Sequence, residues 1–145
     1  MLRLSRKADY ALVALKYLAQ SGRGGALSAT DIADCFSISA PLMAKVLQRL
    51  AKKGLVAAHH GSTGGYTLAR NPAAITALDV VQAIDGPISI TSCTTRRGDC
   101  DHLSSCTVRA PLRRVNETIL RVLNQVTVSQ LADEEPVSPV VGLRV

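Results

Sequence analysis

A mainly α-helical fold with one small β-hairpin is what this sequence of 145 residues predicts. Three observations carry that expectation. Apolar positions recur at helical spacing through most of the chain, a Gly-rich interruption separates two short extended runs, and the longest helical stretch carries a heptad-like apolar stripe.

The first helix is expected from Arg6 to Gln20 behind Ser5, with Tyr10, Val13, Ala14, Tyr17 and Leu18 on one face. The glycines between Ser21 and Ala26 end it. Ser28-Ala-Thr-Asp31 is a capping box that opens a short helix to Phe36. Ser37-Ile-Ser39 forms a tight turn, and Ser39 is the expected cap of a third helix with Pro41 in its first turn. On that helix Met43, Val46, Leu47 and Leu50 share the inward face, which leaves Lys45, Gln48, Arg49, Lys52 and Lys53 outward until Gly54.

The period then becomes extended. Leu55 to His60 and Tyr66 to Ala69 flank Gly61-Ser-Thr-Gly-Gly65, a hairpin placed directly after the basic helix. Two short helices, a tight turn and such a hairpin make a winged helix-turn-helix, the architecture of a DNA-binding region. Asn71-Pro72 closes this unit, and the capping box Thr76-Ala-Leu-Asp79 opens a helix that Gly86-Pro87 ends. A polar loop spans 91 to 106. The longest helix follows, from Pro111 to Val126, with Leu112, Val115, Ile119, Val122 and Val126 spaced as a coiled-coil seam and Leu120 and Leu123 widening it. That seam needs a cover; a second copy of the chain is the expected one, because the loop-rich residues before it offer little, and packing within its own chain is the alternative. A short amphipathic segment from Thr127 to Ala132 precedes a tail, holding Pro136 and Pro139, that is expected to be disordered.

Composition agrees with an oligomeric nucleic-acid binder. Hydrophobic residues are 47% and charged ones 19% of the chain, below the roughly 25% of an average soluble domain, so apolar surface remains for a subunit interface. Residues 1–70 hold ten basic and three acidic side chains, whereas 71–145 hold seven and eight. The positive field therefore belongs to the winged unit, as expected if it meets a polyanion, with ordinary solvated helix faces as the other reading of charge alone. Only Tyr10, Tyr17, Phe36 and Tyr66 are aromatic, too few to bind single strands by base stacking. Neither a cleavable export signal nor a membrane-length apolar run stands out, which predicts a cytoplasmic protein. No nucleophile and base pair up as in an enzyme, and the three histidines, His59, His60 and His102, fall on the wing and the polar loop.

Three of the four cysteines, Cys93, Cys100 and Cys106, stand as C-x6-C-x5-C in the polar loop. Zinc sites favour shorter knuckles and four ligands; His102 is an awkward fourth, two residues from Cys100. An iron–sulfur cluster tolerates wider spacing because its ligands reach around a larger core. A redox-active thiol set is the third option, and Arg96 and Arg97 favour thiolate in every case. Cys35, on the second helix, is expected to be a buried small hydrophobe.

Four segments in order, Arg6-Lys-Ala-Asp-Tyr-Ala-Leu12, Gly61-Ser-Thr-Gly-Gly-Tyr66, Asp79-Val-Val-Gln-Ala-Ile-Asp-Gly86 and the cysteine loop, resemble the IscR/NsrR/SufR group of dimeric winged-helix regulators. The resemblance spans about residues 1–132. It implies a homodimer on pseudo-palindromic double-stranded DNA, with a 2Fe-2S or 4Fe-4S cluster on Cys93, Cys100 and Cys106. For the fourth ligand it implies Asp9, supplied by the other subunit, with His102 as the fallback; the His that IscR-like members carry after the last Cys is Arg109 here. A carboxylate is harder than thiolate and would make one iron labile. A first-turn charge favoured by the helix dipole is the other role open to Asp9.

The resemblance likewise implies base contacts from Ser39, Pro41, Leu42, Ala44 and Lys45, and phosphate contacts from Gln48, Arg49 and Lys52. Ser28, and His60, Ser62 and Thr63 of the wing, complete the set. Ala44 departs from the acidic residue of IscR, and His60 from the usual Arg. A short apolar first turn suits thymine methyls, and an imidazole in the wing makes affinity depend on pH. The expected division is a DNA-binding region at 1–86, a cluster loop at 87–109, a dimerisation helix with a short terminal helix at 110–132 and the tail at 133–145. The expected function is a DNA-binding regulator sensing iron–sulfur status, redox or nitric oxide. The competing reading is a thiol redox or metal-delivery protein that docks an acidic partner through its basic half.

Overall fold

Helix α1 (Arg6–Gln20) lies at the centre of the molecule and packs against α3 (Ala40–Lys52), α4 (Ala77–Asp85) and α6 (Val128–Asp133). The remaining elements are α2 (Ala29–Cys35), strands β1 (Val56–His59) and β2 (Gly65–Leu68), a 3-10 turn at Pro72–Ala74 and α5 (Arg109–Gln125). This computed structural model describes residues 3–21, 24–90 and 105–133. Mainly helical with one two-stranded antiparallel sheet, it has the winged-helix architecture the sequence predicts.

The helix starts follow the capping chemistry. Ser5 Oγ accepts from the Ala8 amide, and reciprocal capping boxes close at Ser28–Asp31 and Thr76–Asp79. Ser39 departs from expectation: it occupies the N-cap of α3, but its hydroxyl makes no capping hydrogen bond. Pro41 in the first turn removes one of the donors a cap would serve. Between α2 and α3, Ser37 adopts φ 53°, a left-handed turn residue.

The core is assembled from Leu15, Ile32, Met43, Leu47, Leu50, Ile75, Val80 and Val128, all fully buried. Met43, Val46, Leu47 and Leu50 are the inward face of α3, as their spacing requires. On α1 the buried stripe differs from the sequence reading. It is Ala8, Ala11, Ala14, Leu15 and Leu18, whereas Tyr10, Val13 and Tyr17 ride half buried on its flanks. A helix enclosed by three neighbours presents small residues where backbones approach most closely.

Cys35 is a second correction. It is exposed, because Ile32 and Ala33 fill the core side of α2 and Cys35 ends the helix. Its sulfur is hydrogen-bonded to Tyr17 Oη at 3.3 Å, and this hydrogen bond together with negative charge on the sulfur favours the protonated phenol and holds Tyr17 above its ordinary pKa. Phe36 meets the same ring edge to face at 5.5 Å.

The hairpin pairs Val56 with Leu68 and His59 with Gly65. It is also stitched to the chain ahead of α2: the Tyr66 amide donates to Leu27 O at 2.7 Å and the Leu27 amide to Tyr66 O at 3.1 Å. Gly65 makes that approach possible. A Cβ there would stand 2.5 Å from Leu27 carbonyl atoms, and its φ of +149° disfavours any side chain. The C-terminal end returns to the same core, for the Ala77 amide donates to Val126 O and the Val128 amide to Ile75 O.

Replacing Leu47, 0% exposed, by Ala is expected to cost about 2–5 kcal/mol in denaturant unfolding through lost burial and a residual cavity. A loss under about 1 kcal/mol would mean that α3 is not anchored through this side chain.

Candidate nucleic-acid interface and cysteine segment

The outward face of α3 carries the residues singled out for DNA. Ser39, Pro41, Lys45, Gln48, Arg49 and Lys52 are exposed, and Leu42 and Ala44 are half buried beside them. Helical periodicity makes this sidedness unavoidable: once Met43, Val46, Leu47 and Leu50 are inside, positions 41, 45, 48, 49 and 52 face out. Arg49 is oriented by more than its own helix. Its Nε donates to the Ala83 carbonyl of α4 at 3.1 Å, leaving the terminal guanidinium nitrogens for another partner.

The wing tip holds His60, Ser62 and Thr63, all exposed, in a turn closed by the Gly64 amide on Gly61 O. His59, in contrast, spends its Nε2 on Thr67 Oγ1 at 2.8 Å across the hairpin. Ser28 sits half buried where α2 begins, its Oγ accepting from the Asp31 amide at 3.1 Å. Through the Leu27–Tyr66 bridge this position lies beside the wing.

Lys7 on α1 joins Lys45 and Arg49 around one cavity of about 290 Å³, with Val46 and Ile84 as its apolar lining. Reading α3 alone misses Lys7. The signal was the basic cluster Arg3, Arg6 and Lys7 at the start of α1, but nothing in the sequence says which of the three turns toward α3.

The end of α4 and the face of α5 frame the cysteine segment. Asp85, the last residue of α4, accepts from the Ser5 amide at 3.2 Å and from the Ser5 hydroxyl. Asn116, the buried residue of α5, accepts through Oδ1 from the Ile90 amide at 3.1 Å. A polar residue inside a heptad-like helix is the signal for such a tether, and the sequence reading passed over it. The segment that begins after Ile90 is thus held at its start by the same helix that follows it.

Cys106, three residues before α5, is half buried on the wall of a cavity of about 410 Å³ shared with Thr107, Arg109, Ala110 and Arg113. Asp9 is exposed in the first turn of α1. Cys93, Cys100 and His102 lie outside the described residues. Among the described residues, no three His, Cys, Asp or Glu side chains converge as a metal site. As donors, Cys106 and Asp9 are chemically suited to iron, and the arginine lining suits an anionic thiolate core.

Along α5, Leu112, Ile119 and Leu123 are half buried, while Val115 and Val122 remain 48% and 54% exposed. Its other side packs on α4. No helix among the described residues is long and apolar enough to cross a membrane.

Comparison with known proteins agrees over nearly the whole chain. Residues 4–134 match the Rrf2 family model, described as an iron-dependent transcriptional regulator. The HTH-type transcriptional regulator IscR of Escherichia coli is 29% identical over 141 residues, covering 97% of this chain and 86% of its own. Two solved structures are similar: CymR (YrzC), the global cysteine regulator of B. subtilis, with 30% identity and a TM-score of 0.74 over 91% of this chain and 97% of that one, and T. potens IscR, with 27% identity and a TM-score of 0.71 over 90% and 85%. All are regulators, so neither an enzyme nor a thiol-delivery protein is the kind of molecule this chain resembles. The chain belongs to the Rrf2 family of DNA-binding transcriptional regulators and is similar to IscR.

Proposed function

We propose that this regulator works as a homodimer on pseudo-palindromic double-stranded DNA, with operator binding controlled by an iron–sulfur cluster held by Cys93, Cys100 and Cys106. Asp9 of the other subunit serves as fourth ligand. Residues 1–86 read DNA, 87–109 carry the cysteine ligands, and α5 pairs the subunits, with α6 following it back onto its own core. The observation that carries this reading is the last turn of α4, which touches the DNA-reading helix at one residue and the α1 N-cap at another, and then runs into the cysteine segment.

When bound, the cluster would supply a rigid core that fixes the thiolates relative to one another. The remaining work is done by the chain. Asn116 holds Ile90, so a change in the segment beyond it is referred to α5. At the other end, Gly86, with φ 79°, turns the chain out of α4. A displacement there shifts Asp85 against Ser5, one turn before Asp9, and Ala83 against Arg49. Both contacts alter how α3 is presented. Two recognition helices roughly 34 Å apart across the dimer read successive major grooves. A coupling of about 1–3 kcal/mol, typical of linked sites, changes operator affinity about 5- to 150-fold.

The apolar stripe of α5 supports the dimer, since Val115 and Val122 stay exposed beside half-buried Leu112 and Ile119. Exposed valines at heptad spacing are what a second copy would cover.

Protein purified without oxygen is expected to show visible sulfur-to-iron charge-transfer absorbance, which Cys106→Ala and Cys93→Ala abolish. Affinity for a palindromic duplex is expected to differ at least fivefold between cluster-loaded and cluster-free wild type. A colourless wild type, or equal affinities, contradicts the proposal. Replacing Val115 and Val122 together by Asp is expected to convert dimer to monomer in sedimentation while helical circular dichroism persists; an unchanged dimer would place the interface elsewhere.

A further inference from the structure

We infer that the cavity formed by Lys7, Lys45 and Arg49 seats one phosphodiester of the DNA backbone, and that Lys7 is a DNA contact supplied from outside the helix-turn-helix. The inference rests on the proposed DNA-binding function and adds to it a residue on α1.

The geometry is specific. Lys45 and Arg49 stand one turn apart on the outward face of α3, and Lys7 reaches the same cavity of about 290 Å³ from α1. Ion pairing among the described residues is confined to Arg113–Glu117, on α5. The three cations therefore have no counter-ion within the described chain, and an anion from outside neutralises them. Arg49 is arranged for this purpose. With Nε committed to the Ala83 carbonyl at 3.1 Å, its plane is fixed and its terminal nitrogens remain to donate, a fork that matches two phosphate oxygens. Lys7 adds a flexible point charge from the opposite side.

The anion is a backbone phosphate and not a small soluble ion because Lys45 belongs to both the cavity and the reading face. A helix laid in the major groove has phosphates along its flanks, so a cavity at the edge of that face is where the strand passes. The contact would position the protein on the duplex and would not discriminate sequence.

The test compares binding of a fluorescent palindromic duplex and a scrambled duplex by full-length wild type, Lys7→Ala and Lys16→Ala across a salt series. Lys7 is exposed and Ala is a strong helix former, so the variant should fold. Lys16 lies nine positions away on α1, about two and a half turns and so on the opposite face, and its loss controls for net charge. Lys7→Ala is expected to weaken both duplexes equally and to lower the slope of log affinity against log salt by about 0.9, the value for one phosphate. The ratio of wild-type to variant affinity then falls about 3.5-fold between 50 and 200 mM salt. Lys16→Ala should leave the slope unchanged. Inorganic phosphate that binds DNA-free wild type but not Lys7→Ala, while the two proteins share one salt slope for the duplex, would assign the cavity to a free anion and overturn the inference. An unchanged slope in Lys7→Ala, or a loss confined to the palindrome, also overturns it while leaving the proposed function intact. A wild type that binds neither duplex overturns both.

Discussion

The last turn of α4 is the constraint on which the functional geometry depends. Its Asp85 carboxylate holds the amide and hydroxyl of Ser5, its Ala83 carbonyl holds Arg49, and Gly86 then releases the chain toward the cysteine segment. These hydrogen bonds are exposed or half buried and contribute little to stability, of the order of 1 kcal/mol each. Their importance lies in position. Two units separate in sequence, the α1 N-cap and α3, are held within three residues of one helix.

Burial gives that junction something firm to act against. The buried core ties α1, α3, α4 and α6 into one body through Leu15, Leu47, Val80 and Val128. The wing is fastened to the same body through Leu27 and Tyr66. Helix α5 is different, since its one buried residue is the polar Asn116 and its valines face outward. A rigid reading head and a long helix that lacks full cover among the described residues are the two parts the proposed dimer has to connect. The proposed phosphate seat at Lys7 lies on the rigid part, and would make α1 join α3 in gripping the duplex.

Much of this was legible in the sequence because the relevant signals are local. Capping boxes at Ser28 and Thr76, Pro41, Gly54 and the Gly-rich wing fixed the order of elements, and helical period placed the inward residues of α3 correctly. Where the reading failed, tertiary crowding was the cause. The face of α1 was misjudged because Ala8 and Ala11 carry little hydrophobic weight yet lie closest to neighbouring backbones. Cys35 was misplaced because its apolar neighbours say nothing about where a helix of seven residues ends. Asn116, Asp85 and Lys7 act through partners 26, 80 and roughly 40 positions away, and periodicity does not report such separations.

The most direct test of the α4 junction is the ratio of operator affinities with and without bound cluster, measured in Asp85→Ala, whose side chain is exposed and whose removal spares the core. If α4 relays the state of the cysteine segment, that ratio falls toward 1 while the visible absorbance and the melting temperature stay close to wild type. A variant that keeps the full wild-type ratio would show that the signal reaches the recognition helix by another route.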